Sequence, residues 1–149
     1  MTDVTAKQFA AMESALSGTY TRVRAELGVR AFGLQLFDLP PGFDEAWTAH
    51  AHAGMPPERA FMNTDQEEVY VPLAGHGTLI AGDERWELVP GMAVRVGPAQ
   101  LRQVVAGDEG LRYLAIGGTP DRAYEPPPFT ERGAGDVPPA LAARRATRT

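Results

Sequence analysis

Polar and apolar residues alternate in short runs along most of the chain. From residue 67 onward EEVYVPL, GHGTLIA, ERWELV, GMAVRVG, LRQVVA and LRYLAIGG follow one another, each rich in Val, Leu, Tyr or Trp and each broken off near Gly, Pro or Asp. Turn residues recurring every roughly 8 to 12 positions between β-prone runs are the pattern of an antiparallel barrel or sandwich. Upstream, VRAFGLQLFDL alternates loosely and stops at Pro40-Pro41-Gly42, where missing backbone donors and a glycine favour a turn. AWTAHAH predicts a further short strand, and Gly82-Asp83 in IAGDERW marks a hairpin.

The two ends of the chain depart from this period. Phe9, Met12 and Leu16 recur three and four positions apart among alanines, which predicts a short amphipathic helix over Thr5 to Leu16, ended by Gly18. Its apolar stripe needs a surface, either the chain's own β domain or a second copy. TRVRAEL suits a helix or a strand, and the alternation of Tyr20, Arg22, Arg24 and Glu26 with Thr21, Val23, Ala25 and Leu27 favours the strand. Beyond Tyr124, EPPPFTERGAGDVPPALAARRATRT has consecutive prolines and few large apolar residues, so it predicts a flexible tail from which Phe129 can still dock. The expected organisation is a helical segment over 1–18, a β domain over 19–124 and a Pro-rich tail over 125–149.

Composition narrows the chemistry. The 149 residues suit one domain with a modest core, and the lack of cysteine excludes disulfides, thiolate metal sites and a cysteine nucleophile. Any site must be built from oxygen and imidazole. The net charge of -5 and the absence of a basic run argue against nucleic acid. Neither a signal-peptide pattern nor 18 consecutive apolar residues occurs, so a soluble, cytoplasmic protein without membrane contact is expected.

Two motifs then carry a resemblance. Glu68, the six residues VYVPLA and Gly75 are followed, after fifteen residues holding the hairpin, by Gly91 opening GMAVRVGPAQLR with Pro98. Over EEVYVPLAGHGTLIAGDERWELVPGMAVRVGP the strand, turn and glycine spacings together resemble the cupin superfamily, and the likeness extends from Pro40 to Gly118. It implies an all-β double-stranded β-helix, or jelly-roll barrel, with the short N-terminal helix appended. It also implies a homodimer and an interior site for a small-molecule ligand.

Metal centres in that superfamily commonly use a histidine pair, a glutamate and a further histidine. His50 and His52, in TAHAHAG, lie two apart and so face the same way on a strand, and Glu68 supplies a carboxylate from a neighbouring one. Such a set suits Fe, Mn, Ni or Zn as the divalent ion without choosing among them. Two departures stand against it. Fifteen residues separate His52 from Glu68 where the superfamily has a short gap, and a rival alignment puts Met62 and Thr64 at the histidine positions. Counting from Gly91 places Arg102 where the last histidine belongs, and a guanidinium has no lone pair for a metal.

Three states of the site therefore stay open. In the first, His50, His52 and Glu68 hold a divalent metal for an enzyme of dioxygenase, isomerase, decarboxylase or cyclase type. In the second, a metal-free pocket of Arg102, Glu68, Tyr70 and Gln100 binds an acidic small molecule, with Arg102 as anion anchor. In the third, a packed β domain holds nothing. Trp47 is expected in core or rim packing, His76 in an exposed turn, and Tyr70 and Trp86 on the cavity wall or in the core. The loop from Ala53 to Gln66 is long for so small a domain and reads as a lid or a partner surface, with Phe61 or Met62 as a plug.

Overall fold

A computed structural model describes residues 2–44 and 49–136. Trp47 and the final ALAARRATRT stretch lie outside the described residues. Among the described residues seven strands and one α-helix follow in chain order: β1 (Ser14–Ala15), β2 (Tyr20–Thr21), α1 (Val23–Leu27), β3 (Gly33–Leu39), β4 (Glu67–Ala81), β5 (Glu84–Leu88), β6 (Val94–Val96) and β7 (Gln103–Gly118). Among the described residues, 3-10 helix lies at Phe9–Ala11, at Pro57–Met62 with a kink at Arg59, and at Pro128–Thr130. Among the described residues no helix is long and apolar enough to cross a membrane.

The strands form one antiparallel sheet in the order β1-β2-β3-β7-β4-β5, with β6 also on β4. β4 and β7 are its spine. They pair from Glu67 with Gly118 down to Gly75 with Leu111, and resume at Gly77 with Ala106, so residues 107–110 of β7 are pushed out of register. That excursion needs glycine on both sides: Gly75 sits at φ +73, and a Cβ there would lie 2.1 Å from the Gly110 carbonyl oxygen.

Period-two alternation sends Leu111, Tyr113 and Ala115 of β7 to one side, where they join Leu39, Tyr70, Leu79, Leu88, Val96, Val104 and Ala106 in the main core. The opposite face of β3 and β7 is also covered. There Leu34, Leu36 and Leu114 pack against Phe9, Met12, Val23 and Leu27.

The helix expected over Thr5 to Leu16 is replaced by the turn at Phe9–Ala11 and the strand β1. Phe9 and Met12 are packed, as their spacing required, but the backbone after them has stronger partners than a helix offers. The Glu13 N–H donates to the Glu26 carboxylate at 2.7 Å, the Glu13 carbonyl accepts from Arg22 N–H at 3.0 Å, and Ser14–Ala15 pairs with Tyr20–Thr21. Leu16 and Ser17 then reverse the chain at φ 56 each. The strand expected over TRVRAEL is likewise corrected, since β2 ends at Thr21 and residues 23–27 are helical. Gly28, at φ 76, caps that helix by donating to the Arg24 and Ala25 carbonyls.

The tail is held down as far as residue 136. The Phe129 carbonyl accepts from Arg22 Nε at 3.1 Å and the Gly135 carbonyl accepts from the same guanidinium. Gly133 N–H donates to Glu13, and Glu131 pairs with Arg24 at 2.9 Å. Proline removes N–H donors but not carbonyl acceptors, so a Pro-rich strap is well suited to binding through buried Arg22.

Candidate metal centre

The AHAH segment is brought to the site by its backbone. His50 and Arg102 exchange two N–H···O bonds of 2.9 Å, and His52 N–H donates to the Pro98 carbonyl at 2.7 Å. Both imidazoles consequently face the same side, edge to face with ring centres 5.1 Å apart. The long loop leaves after His52, makes its 3-10 turn and returns, with Asp65 N–H on the His52 carbonyl at 2.8 Å. The fifteen intervening residues therefore loop out and re-enter beside their point of departure, and β4 begins next to the histidines. Met62 and Thr64, the rival positions, serve as neighbours of His52.

One carboxylate oxygen is the focus. Glu68 Oε1 lies 2.7 Å from His52 Nε2, 3.3 Å from His50 Nε2, 2.8 Å from an Arg102 terminal nitrogen and 3.0 Å from the Tyr70 hydroxyl. Among the described residues no hydrogen bond falls on its second oxygen. Burial alone would raise the Glu68 carboxyl, but the hydrogen bonds and charges of His50 and His52 outweigh it and hold the group well below the usual carboxylate range. The same burial, with the Glu68 charge beside it, pushes Tyr70 well above the ordinary phenol range, so Tyr70 remains a donor. Tyr113 is raised chiefly by burial, and burial lowers His50.

The ring of His52 is oriented from behind. Its Nδ1 faces the Met62 carbonyl at 3.1 Å and the Thr64 hydroxyl at 3.1 Å. A carbonyl only accepts, so with the proton on Nδ1 the Nε2 lone pair faces the Glu68 carboxylate, and in the other tautomer the Thr64 hydroxyl donates to Nδ1 while Nε2–H donates to Glu68. The ligand atoms of His50, His52 and Glu68 all fall within 4.8 Å of one another. Donors about 2.1 Å from a shared ion lie roughly 3.0 to 3.4 Å apart, so small side-chain shifts suffice to admit one.

Arg102 is brought to the cluster by its backbone pairing with His50. Its side chain is 0% exposed and commits Nε to Tyr70 at 3.0 Å, one terminal nitrogen to the Gln100 carbonyl at 2.8 Å and the other to Glu68. Gln100 reaches the cluster through that carbonyl alone. Its side-chain amide is exposed and donates to the Leu101 carbonyl, so its expected place as a ligand-binding side chain is not what the structure shows. Glu67 faces away and pairs with Arg95, His76 is on β4 beside Asp108 rather than in a turn, and Trp86 is 39% exposed on β5, off the cavity wall.

A cavity of about 170 Å³ adjoins the cluster, walled mainly by Phe37, Leu39, Val104, Tyr113 and Ala115 and reached by Met62 and Phe129. Phe61 stacks edge-on against Phe129 at 5.7 Å, which joins the long loop to the C-terminal strap. Phe129 is the one residue of this strap that the apolar pattern singled out.

No family model and no curated protein matches the chain. Among solved structures it is similar to a cupin protein of Bacteroides fragilis, with a TM-score of 0.61 and 20% identity over 85% of this chain and 92% of that one. It is also similar to a sugar phosphate isomerase of the cupin superfamily from Silicibacter pomeroyi, with a TM-score of 0.56 and 16% identity over 74% and 73% of the two chains. At these identities the likeness is one of architecture. The fold is that of the cupin superfamily.

Proposed function

We propose that this chain is a divalent-metal-dependent enzyme of cupin type in which His50, His52 and Glu68 are the ligands. The sheet is read as the jelly-roll barrel of that superfamily, with the cavity in its interior. The observation that carries the reading is the convergence of His50, His52 and Glu68, whose ligand atoms all lie within 4.8 Å of one another. Two imidazoles and one carboxylate leave coordination positions open, and a bound ion would supply Lewis acidity there.

The chain's own residues prepare the rest. Arg102 and Tyr70 donate to one oxygen of Glu68 and hold it in place. The Thr64 hydroxyl and the Met62 carbonyl meet His52 Nδ1 and orient its ring, the outer support that metal-bound histidines need. The metal-free alternative, with Arg102 gripping an acidic ligand, is disfavoured because its guanidinium is fully buried and engaged by Glu68, Tyr70 and Gln100. The test is metal content by plasma mass spectrometry after purification without chelator or metal column. About one transition metal per chain, lost in a folded His50→Ala/His52→Ala variant, is expected. Less than about a tenth of an equivalent after incubation with Fe(II), Mn(II), Ni(II) and Zn(II) would overturn the proposal.

A further inference from the structure

We infer that the cavity takes a molecule with an apolar body about the size of one aromatic ring and a single oxygen-bearing head group directed at the His50–His52–Glu68 cluster. Molecules with a second charged or polyhydroxylated end, such as sugar phosphates and aromatic dicarboxylates, do not fit it. The placing of the head rests on the metal reading above; the size and apolar character rest on the cavity alone.

Size comes first. The cavity holds about 170 Å³, and an apolar cavity of about 150 Å³ suffices for benzene. Polarity is segregated within it. Away from the cluster the wall is mainly Phe37, Leu39, Val104, Tyr113 and Ala115, with Phe129 from the strap. Its polar side chains there, Thr19, Gln35, Gln66 and Thr130 among them, are uncharged except Asp136 and Arg59. Phe37 and Tyr113 are stacked with centroids 5.0 Å apart, which makes that wall flat and aromatic.

Charge is the second constraint. Two guanidiniums reach the lining, and each donates to protein oxygens. Arg102 is fully buried on Glu68, Tyr70 and Gln100, while buried Arg59 donates to the Ala49 carbonyl at 2.6 Å. The second carboxylate of the lining, Asp136, accepts from Leu16 N–H at 3.3 Å and adds negative charge on the strap side. A second anionic group carried into the cavity would leave water for rings, aliphatic chains, a carboxylate and a few uncharged polar side chains, with no guanidinium there that is not already donating to the protein. A single head group at the polar end meets no such penalty.

The test uses the full chain loaded with Zn(II), its metal content measured first. 4-Methylphenol, 4-methylbenzoate, terephthalate and glucose 6-phosphate are titrated by calorimetry. The two one-headed probes are expected to bind at one per chain. Terephthalate, which differs from 4-methylbenzoate by a second carboxylate in the apolar end, is expected to bind at least tenfold more weakly, and glucose 6-phosphate to give no saturable heat. Ala115 lies between Tyr70 and Gln35 on the neighbouring strands, so Ala115→Phe fills the cavity and should abolish probe binding with metal content kept. Val104→Phe serves the same purpose if the first variant fails to fold. Terephthalate or glucose 6-phosphate binding as tightly as 4-methylbenzoate overturns the inference, as does failure of both one-headed probes to bind folded, loaded protein. Protein that takes up no Zn(II) yet binds 4-methylphenol in a way that cavity filling blocks overturns the metal reading and upholds the inferred size and polarity.

Discussion

Removing the charge of Glu68 while leaving Arg102 in place should cost more stability than removing both. Glu68→Gln strands a guanidinium that is 0% exposed, its partner carboxylate having been 13% exposed and 2.8 Å away. Breaking a buried pair from one side costs roughly 3 to 5 kcal/mol, because the remaining ion is buried without compensation. For a chain of this length each kcal/mol moves the melting temperature by about 2 to 4 °C, so the single variant should melt about 6 to 20 °C lower. Arg102→Met alone should destabilise comparably, since Tyr70, Gln100 and Glu68 each lose a donor. In Glu68→Gln/Arg102→Met neither charge is stranded, and the double variant should be more stable than the sum of the singles by at least about 2 kcal/mol. The assay is urea unfolding of chelator-stripped protein followed by circular dichroism, with m-values checked for constancy. Additivity within about 0.5 kcal/mol would refute the reasoning, because it would mean that the two groups do not sense one another.

Two further predictions follow from the same contacts. The Glu68 carboxyl is held well below its ordinary value in the folded chain, so its stabilisation is complete above the unfolded-state value of about 4.5 and is lost as pH falls through the folded value. Wild type should therefore lose stability more steeply than Glu68→Gln on acidification below that point, and equal slopes in acid titrations would contradict it. Arg22→Ala removes the donor to the Phe129 and Gly135 carbonyls and to the Tyr20 hydroxyl, and should cost at least about 3 kcal/mol while exposing residues 125–136 to limited proteolysis. A loss below about 1 kcal/mol with an unchanged cleavage pattern would show that Arg22 does not hold the strap.

The parts of the site that were legible in the sequence are those set by period two and by glycine spacing. His50 and His52 face one way because they are two apart on an extended segment, and Tyr70 shares the face of Glu68 for the same reason. Counting from Gly91 singled out Arg102, which the structure brings to the cluster through its bridge to His50. Gln100 escaped that logic because it sits in a turn, its N–H on the Gly97 carbonyl, where alternation no longer decides direction. The N-terminal helix failed for a different reason. Its apolar spacing was correct, but Glu26, Arg22 and β2 capture the backbone from Glu13 onward, and partners so distant in sequence leave no local mark. The strap at 125–136 was hidden in the same way, since it is held through carbonyls that every residue possesses and by an arginine a hundred residues away.

The central claim is that His50, His52 and Glu68 hold one metal, and anomalous diffraction locates it directly. Crystals grown with Co(II), measured on both sides of the cobalt edge, should show one strong difference peak about 2.0 to 2.2 Å from both Nε2 atoms and a Glu68 oxygen. No peak at that position, or one beside His76 and Asp108 instead, would contradict the account.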